Sequence, residues 1–153
     1  MSFSASQAQV LARTVPLFRS LSPDDVSKIF AHGNTLRMGK GQVVFYQGAT
    51  GNTMYVVLGG SVALYEGQKP LALLRTGDMF GEMALINNEP RSATAVAAED
   101  CHLFMLSETT FQKLLTKRVS IQILLNIIGT LSHRLRETNT RYAKLQNEIA
   151  PPT

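Results

Sequence analysis

The sequence predicts an α+β chain: an antiparallel, jelly-roll-like β-roll between short N-terminal helices and one long C-terminal helix. Three observations predict it. Between residues 35 and 106, short segments rich in β-branched, aromatic and aliphatic residues recur, with glycine between them. Both flanks carry apolar residues at helical spacing instead. No helix-length segments alternate with the strands, so a βαβ architecture is excluded.

The elements follow in chain order. Residues 10–34 read as helices with two start signals. Pro16 suits a first turn, and Ser22-Pro23-Asp24-Asp25 offers a capping hydroxyl, a proline at the first helical position and acids at the positive helix end. Val26, Ile29 and Phe30 then form an apolar stripe. Strands are expected at residues 42–46, 54–58, 61–65, 71–74 and 101–106. Gly39-Lys40-Gly41, Gly48, Gly51-Asn52, Gly59-Gly60, Gly67 and Gly77-Asp78 supply the turns. Ser107 caps a short helix over residues 108–115. A long helix runs from near residue 120 to 149, and Pro151 and Pro152 end it. The 153 residues make one domain.

Composition narrows the function classes. An apolar fraction of 44% against 17% charged describes a globular chain. One cysteine, Cys101, excludes a disulfide framework and a cysteine-rich zinc site. No run is long and apolar enough for a membrane-spanning helix, and the N-terminus lacks a secretory pattern, so the cytoplasm is the expected address. The net charge of +4 comes largely from Lys113, Lys117, Arg118, Arg134, Arg136, Arg141 and Lys144, read as a solvated helix face rather than a nucleic-acid surface. Enzymatic signatures are missing. His32, His102 and His133 have no ligand or triad spacing, Gly39-Lys40 is followed by glycine rather than Ser or Thr, and Cys101 falls in an apolar strand. No cofactor is expected.

One stretch carries chemistry: residues 80–94, Phe-Gly-Glu-Met-Ala-Leu-Ile-Asn-Asn-Glu-Pro-Arg-Ser-Ala-Thr. Gly77 and Gly81 flank a tight loop, and residues 82–86 suffice for one helical turn. The amides of Gly81, Glu82, Met83 and Ala84 would then be first-turn donors. Arg91 follows nine residues after Glu82, with small Ser92 and Ala93 behind it. A guanidinium fork suits a phosphate and a carboxylate suits a hydroxyl, so the set fits a sugar phosphate. The alternative is an internal Glu82–Arg91 salt bridge that merely closes the loop.

This segment resembles the phosphate-binding cassette of cyclic-nucleotide-binding domains, roughly F-G-E-x-A-L, a short spacer, then P-R-S/T/A-A-T. Residues 41–48, the Gly59-Gly60-Ser61-Val62 turn and the terminal helix follow in the family's order. The resemblance implies that Glu82, with the Gly81 amide, takes the ribose 2′-hydroxyl. It implies that Arg91, Ser92 and the Ala93 amide take the cyclic phosphate. Each charge-assisted contact would contribute about 1.5–3 kcal/mol if shielded. Serine after the arginine, as in the activator-like members, favours cyclic AMP as ligand, with cyclic GMP the alternative.

On the long helix Leu124, Ile128, Leu131, Leu135, Thr138, Tyr142, Leu145 and Ile149 step by four and three. That heptad seam predicts a homodimer through paired helices. Over residues 124–131 the neighbouring Ile121, Leu125 and Ile127 widen the apolar arc, and packing on the β-roll is the competing reading there. Thr138 is the polar member of the seam. By resemblance to activator-like relatives, Thr138 and Asn139 would meet the adenine amino group, one from each subunit, although the family has Ser where Asn139 stands. Alternatively Thr138 only sets helix register.

The leading expectation is a cyclic-nucleotide receptor that signals through its C-terminal helix to an unknown effector. It would stand alone without a DNA-binding domain or be cut from a larger protein. A DNA-associated regulator without a reading head is one alternative, and a ligand-free structural domain of this fold is another.

Overall fold

The computed structural model describes residues 5–114 and 117–149. Helix α1 (Ala5–Thr14), a 3-10 turn (Pro16–Phe18) and α2 (Pro23–His32) lead the chain. Pro16 opens the 3-10 turn, and the Ser22 hydroxyl accepts a hydrogen bond from the Asp25 amide at 3.2 Å, capping α2 as its sequence demands.

Eight strands follow among the described residues: β1 (Asn34–Met38), β2 (Val43–Phe45), β3 (Thr53–Gly59), β4 (Ser61–Glu66), β5 (Lys69–Arg75), β6 (Met79–Phe80), β7 (Thr94–Ala97) and β8 (Cys101–Ser107). They form two four-stranded sheets, ordered β1-β8-β3-β6 and β2-β7-β4-β5, with antiparallel pairing throughout. Three strands escape the sequence pattern. β1 is polar and mostly exposed, β6 has two residues, and β7 is built of small residues next to the cassette.

β3 and β8 are buried on both faces, which is why they read as nearly continuous apolar runs. Val57, Leu103 and Cys101 point between the sheets with Val62, Phe80 and Ala95. Met54, Val56, Phe104 and Leu106 point the other way, into a cluster with Leu17, Phe18, Val26, Ile29 and Phe30. Phe30 bridges this second core, with its ring centroid 4.3 Å from that of Phe104. Pro70 lies on β5 at the sheet edge, where its missing amide breaks no inner ladder.

After the one-turn helix α3 (Met83–Ile86) in the cassette, the chain ends in α4 (Glu108–Leu114) and α5 (Lys117–Ile149). Ser107 caps α4, accepting from the Thr110 amide at 3.1 Å. Leu115, Pro151 and Pro152 lie outside the described residues. The long helix starts three residues before the expected position and ends where expected.

The side of α5 that meets the body differs from the expected one. Val119, Ile123 and Ile127 are the buried residues, with Leu131 half-buried beside them. Ile121, Leu124, Leu125 and Ile128 remain exposed, so of the wider apolar arc Ile127 and Leu131 pack on the body and the rest does not. A further tie is polar. The buried Asn126 amide donates to the carbonyls of Leu17 and Arg19, both at 2.8 Å, and fastens α5 to the 3-10 turn.

Candidate functional site

The cassette opens where β6 ends. Gly81 has φ +73°, a left-handed turn that redirects the chain from strand to helix. Glu82 follows in helical conformation and α3 begins. The turn closes on itself: the Ala84 amide donates to the Gly81 carbonyl at 3.2 Å and the Leu85 amide to that of Glu82 at 3.0 Å. The Ala84 amide is therefore not the open donor expected of it, because a helix this short satisfies itself within one turn.

Arg91 is placed from its backbone outward. Its amide donates to the Ala49 carbonyl at 2.9 Å, and its carbonyl accepts from the Gly48 amide at 2.8 Å. The side chain then turns inward, leaving the residue only 8% exposed. Nη2 donates to the Thr53 carbonyl at 2.7 Å and Nη1 to the Gly81 carbonyl at 3.2 Å. The guanidinium carbon lies 4.3 Å from the centroid of Phe45. Burial pulls the pKa of Arg91 down, while Tyr55 and Glu82 oppose that shift. The ordinary value is high enough that the group stays charged.

Among the described residues no carboxylate comes within ion-pair distance of Arg91. The Glu82–Arg91 bridge that would merely close the loop is not formed. Glu82, 6% exposed, pairs instead with Arg134 of α5, whose Nη1 lies 3.1 Å from Oε1. Nη2 of Arg134 donates to the Met79 carbonyl at 2.5 Å. Arg134 is thus not part of a solvated basic face. The sequence held one signal for this: Arg134 continues the core-facing stripe of Ile123 and Ile127 at helical spacing, a cation where an apolar residue would be expected.

These groups enclose a cavity of about 210 Å³. Gly81, Glu82, Met83, Ala84, Arg91, Ser92 and Ala93 all line it, with Phe45, Leu64 and Arg134. Thr138 and Asn139 do not. Thr138 borders a larger, open groove of about 990 Å³ between β5 and α5, and its hydroxyl donates to the Arg134 carbonyl at 2.9 Å. Arg134 lines both spaces and separates them. Asn139 is exposed and borders neither. The two residues are successive on a helix, so they point about 100° apart and cannot both face one cavity of the same chain.

The remaining seam residues Leu135, Tyr142, Leu145 and Ile149 are exposed on the free length of α5. Cys101 is buried between the sheets, and burial, helped by Asp100, pushes its thiol pKa up. A thiol so placed packs rather than reacts. No cluster of His, Cys, Asp and Glu suited to a metal ion occurs among the described residues, and no described helix is long and apolar enough to cross a membrane.

The strand-to-helix turn at Gly81-Glu82 and the segment after α3 bring a buried acid and a buried arginine to one cavity of a two-sheet β-roll. The family profile described as cyclic nucleotide-binding domain matches residues 35–118, more than half of the 153, and the chain belongs to that family. It is 36% identical over 140 residues to a cyclic AMP receptor protein of Thermus thermophilus, covering 88% of this chain and 64% of that one. The crystal structure of Thermus thermophilus catabolite activator protein superposes with a TM-score of 0.74 at 34% identity, covering 86% of this chain and 63% of that one. The regulatory domain of Toxoplasma gondii PKA, co-crystallised with cAMP, gives 0.66 at 28% identity, covering 82% of this chain and 49% of that one. The chain spans just under two thirds of the first two relatives and about half of the third.

Proposed function

We propose that the chain is a cyclic-nucleotide receptor, with cyclic AMP its ligand ahead of cyclic GMP. One observation carries the reading: a buried guanidinium without an acid partner shares a cavity with a buried carboxylate, within a family whose name states the ligand. An arginine held by carbonyls and a ring face keeps N–H donors for an anion. Arg91, Ser92 and the Ala93 amide take the cyclic phosphate, and Glu82 with the Gly81 amide takes the ribose 2′-hydroxyl. Relatives named for cyclic AMP support adenine as the base.

The site binds rather than turns over its ligand. Glu82 is engaged by Arg134 and Arg91 by two carbonyls, so neither is a poised base or nucleophile. Signalling runs through α5. Arg134 ties this helix to the carboxylate that the ribose approaches, so a bound nucleotide favours one helix position over another by whatever contacts differ between them. The helix pairs with a second copy along Leu124, Ile128, Leu135, Tyr142, Leu145 and Ile149, which a single chain leaves in water. The base contacts expected of Thr138 and Asn139, one from each copy, would need α5 to shift, since Thr138 borders the groove beyond Arg134 rather than the cavity. We read the protein as handing its signal to a protein effector.

Calorimetric titration of cyclic AMP, then cyclic GMP, into the chain and into Arg91→Ala tests this. Saturable binding lost in the variant is expected. Binding of neither nucleotide, or equal binding by the variant, overturns the reading.

A further inference from the structure

Loop 48–51 joins β2 to β3 and lies over the Arg91 guanidinium. Gly51 is the point of closest approach. A β-carbon built there would stand 2.7 Å from Nη2, 3.0 Å from Nε and 3.1 Å from Cζ of Arg91. Gly51 does not use the left-handed region, so its backbone conformation is open to alanine. What the position requires is the absence of a side chain, not glycine's flexibility.

The crowding cannot be relieved by moving the loop. The Gly48 amide and the Ala49 carbonyl bond the backbone of Arg91 itself, at 2.8 and 2.9 Å, so loop and arginine travel together. Nor can the guanidinium retreat. Phe45 lies 4.3 Å away, and a β-carbon on Gly81 would meet Nη1 at 2.7 Å, so the turn there is equally close. A methyl at residue 51 would therefore swing the guanidinium off the Thr53 carbonyl and into the cavity, where the anion belongs.

We infer that Gly51 is a positioning residue for ligand binding: its missing side chain is the space that Arg91 occupies, and this fixes where the cavity presents its positive charge. The inference rests on the phosphate role proposed for Arg91. It extends the site to a loop far from the cassette in sequence, from a residue that touches no ligand.

Two readouts separate this inference from the function it rests on. The first is the Arg91 Nε–Hε NMR signal of the ligand-free chain, assigned by its loss in Arg91→Lys. Held beside the Phe45 ring it is displaced from the other arginine signals, and Gly51→Ala is expected to move it. The second is cyclic AMP affinity, which Gly51→Ala is expected to weaken by roughly ten- to a hundredfold, the size of one charge-assisted hydrogen bond. Little change in melting temperature should accompany that loss. In an Arg91→Lys background, where no fork needs the space, Gly51→Ala should change affinity little. A signal unmoved by Gly51→Ala, or an equal loss of affinity in both backgrounds, overturns the inference. If the unaltered chain binds neither nucleotide, the function falls, and the NMR signal alone decides whether Gly51 places Arg91.

Discussion

Arg134 of the long helix reaches across to Glu82 of the cassette, with Nη1 3.1 Å from Oε1, so the wall of the cavity and the end of the fold are joined by one ion pair. The carboxylate is nearly enclosed while the guanidinium is about one-third exposed, at 34%. Solvent therefore screens the pair in part, and its worth sits toward the low end for a buried bridge. Arg134→Met is expected to destabilise the fold by about 1 kcal/mol, lowering Tm by roughly 2–4 °C. Thermal unfolding measures this, and hydrogen exchange should quicken on α5 next to the site. An unchanged Tm and unchanged exchange would dissolve the link.

Phe45 supports the arginine by its ring face. Phe45→Leu keeps apolar volume but removes the quadrupole beneath Arg91. Cyclic AMP affinity should fall by about three- to thirtyfold, the range of a shielded cation–π contact. Titration against the unaltered chain gives the ratio, and identical affinities would show that the ring only fills space.

The Asn126 amide serves two carbonyls that the 3-10 turn cannot satisfy itself. Asn126→Leu leaves both without that donor inside the protein and should cost about 2 kcal/mol, with a Tm drop of roughly 4–8 °C. Differential scanning calorimetry is the check. A neutral result would mean that water replaces the amide at Leu17 and Arg19.

The exposed face of α5 predicts association. Sedimentation velocity at micromolar concentration should show a dimer, and Leu135→Glu with Tyr142→Glu should convert it to a monomer. Both positions are more than half exposed in the single chain, at 61% and 62%, so the roll should keep its stability. A monomer in the unaltered chain rejects the helix pairing.

Acid should act on the N-terminal helices. Burial pushes the Asp25 carboxyl up, but hydrogen bonds from Arg118 and Ser22, with the Arg118 charge, outweigh it and hold the group below its ordinary 3.8. A depressed pKa contributes stability above the unfolded value and loses it as pH falls through the folded one. Asp25→Asn should therefore lower Tm near neutrality, and the difference should shrink below about pH 3.8. A difference that persists unchanged into acid would assign the effect to the α2 cap alone.

The sequence disclosed what is local and hid what is not. The cassette was legible because its acid, its arginine and its glycine turn fall within a short stretch whose residue types match the chemistry. The caps at Ser22 and Ser107 were legible for the same reason. Strands β1, β6 and β7 were not, because polar, very short or small-residue segments become strands only through their neighbours. Arg134 and Gly51 were missed as site residues, since each meets its partner through the fold, across 52 residues for the bond to Glu82. Asn126 shows the same limit: nothing in a helical asparagine announces two carbonyls more than a hundred positions away.

Helix α5 is fastened to the body at Asn126 and Arg134 and then runs free to Ile149. The free length is a rigid arm of about 22 Å, at 1.5 Å per residue. A tilt of about 10° pivoting at the Glu82 contact would carry its tip through roughly 4 Å. In the dimer proposed above, displacements at the cavity too small to disturb a packed core would arrive at the far end large enough to remake a contact between two chains, which would make the arm a mechanical amplifier whose gain is set by its length.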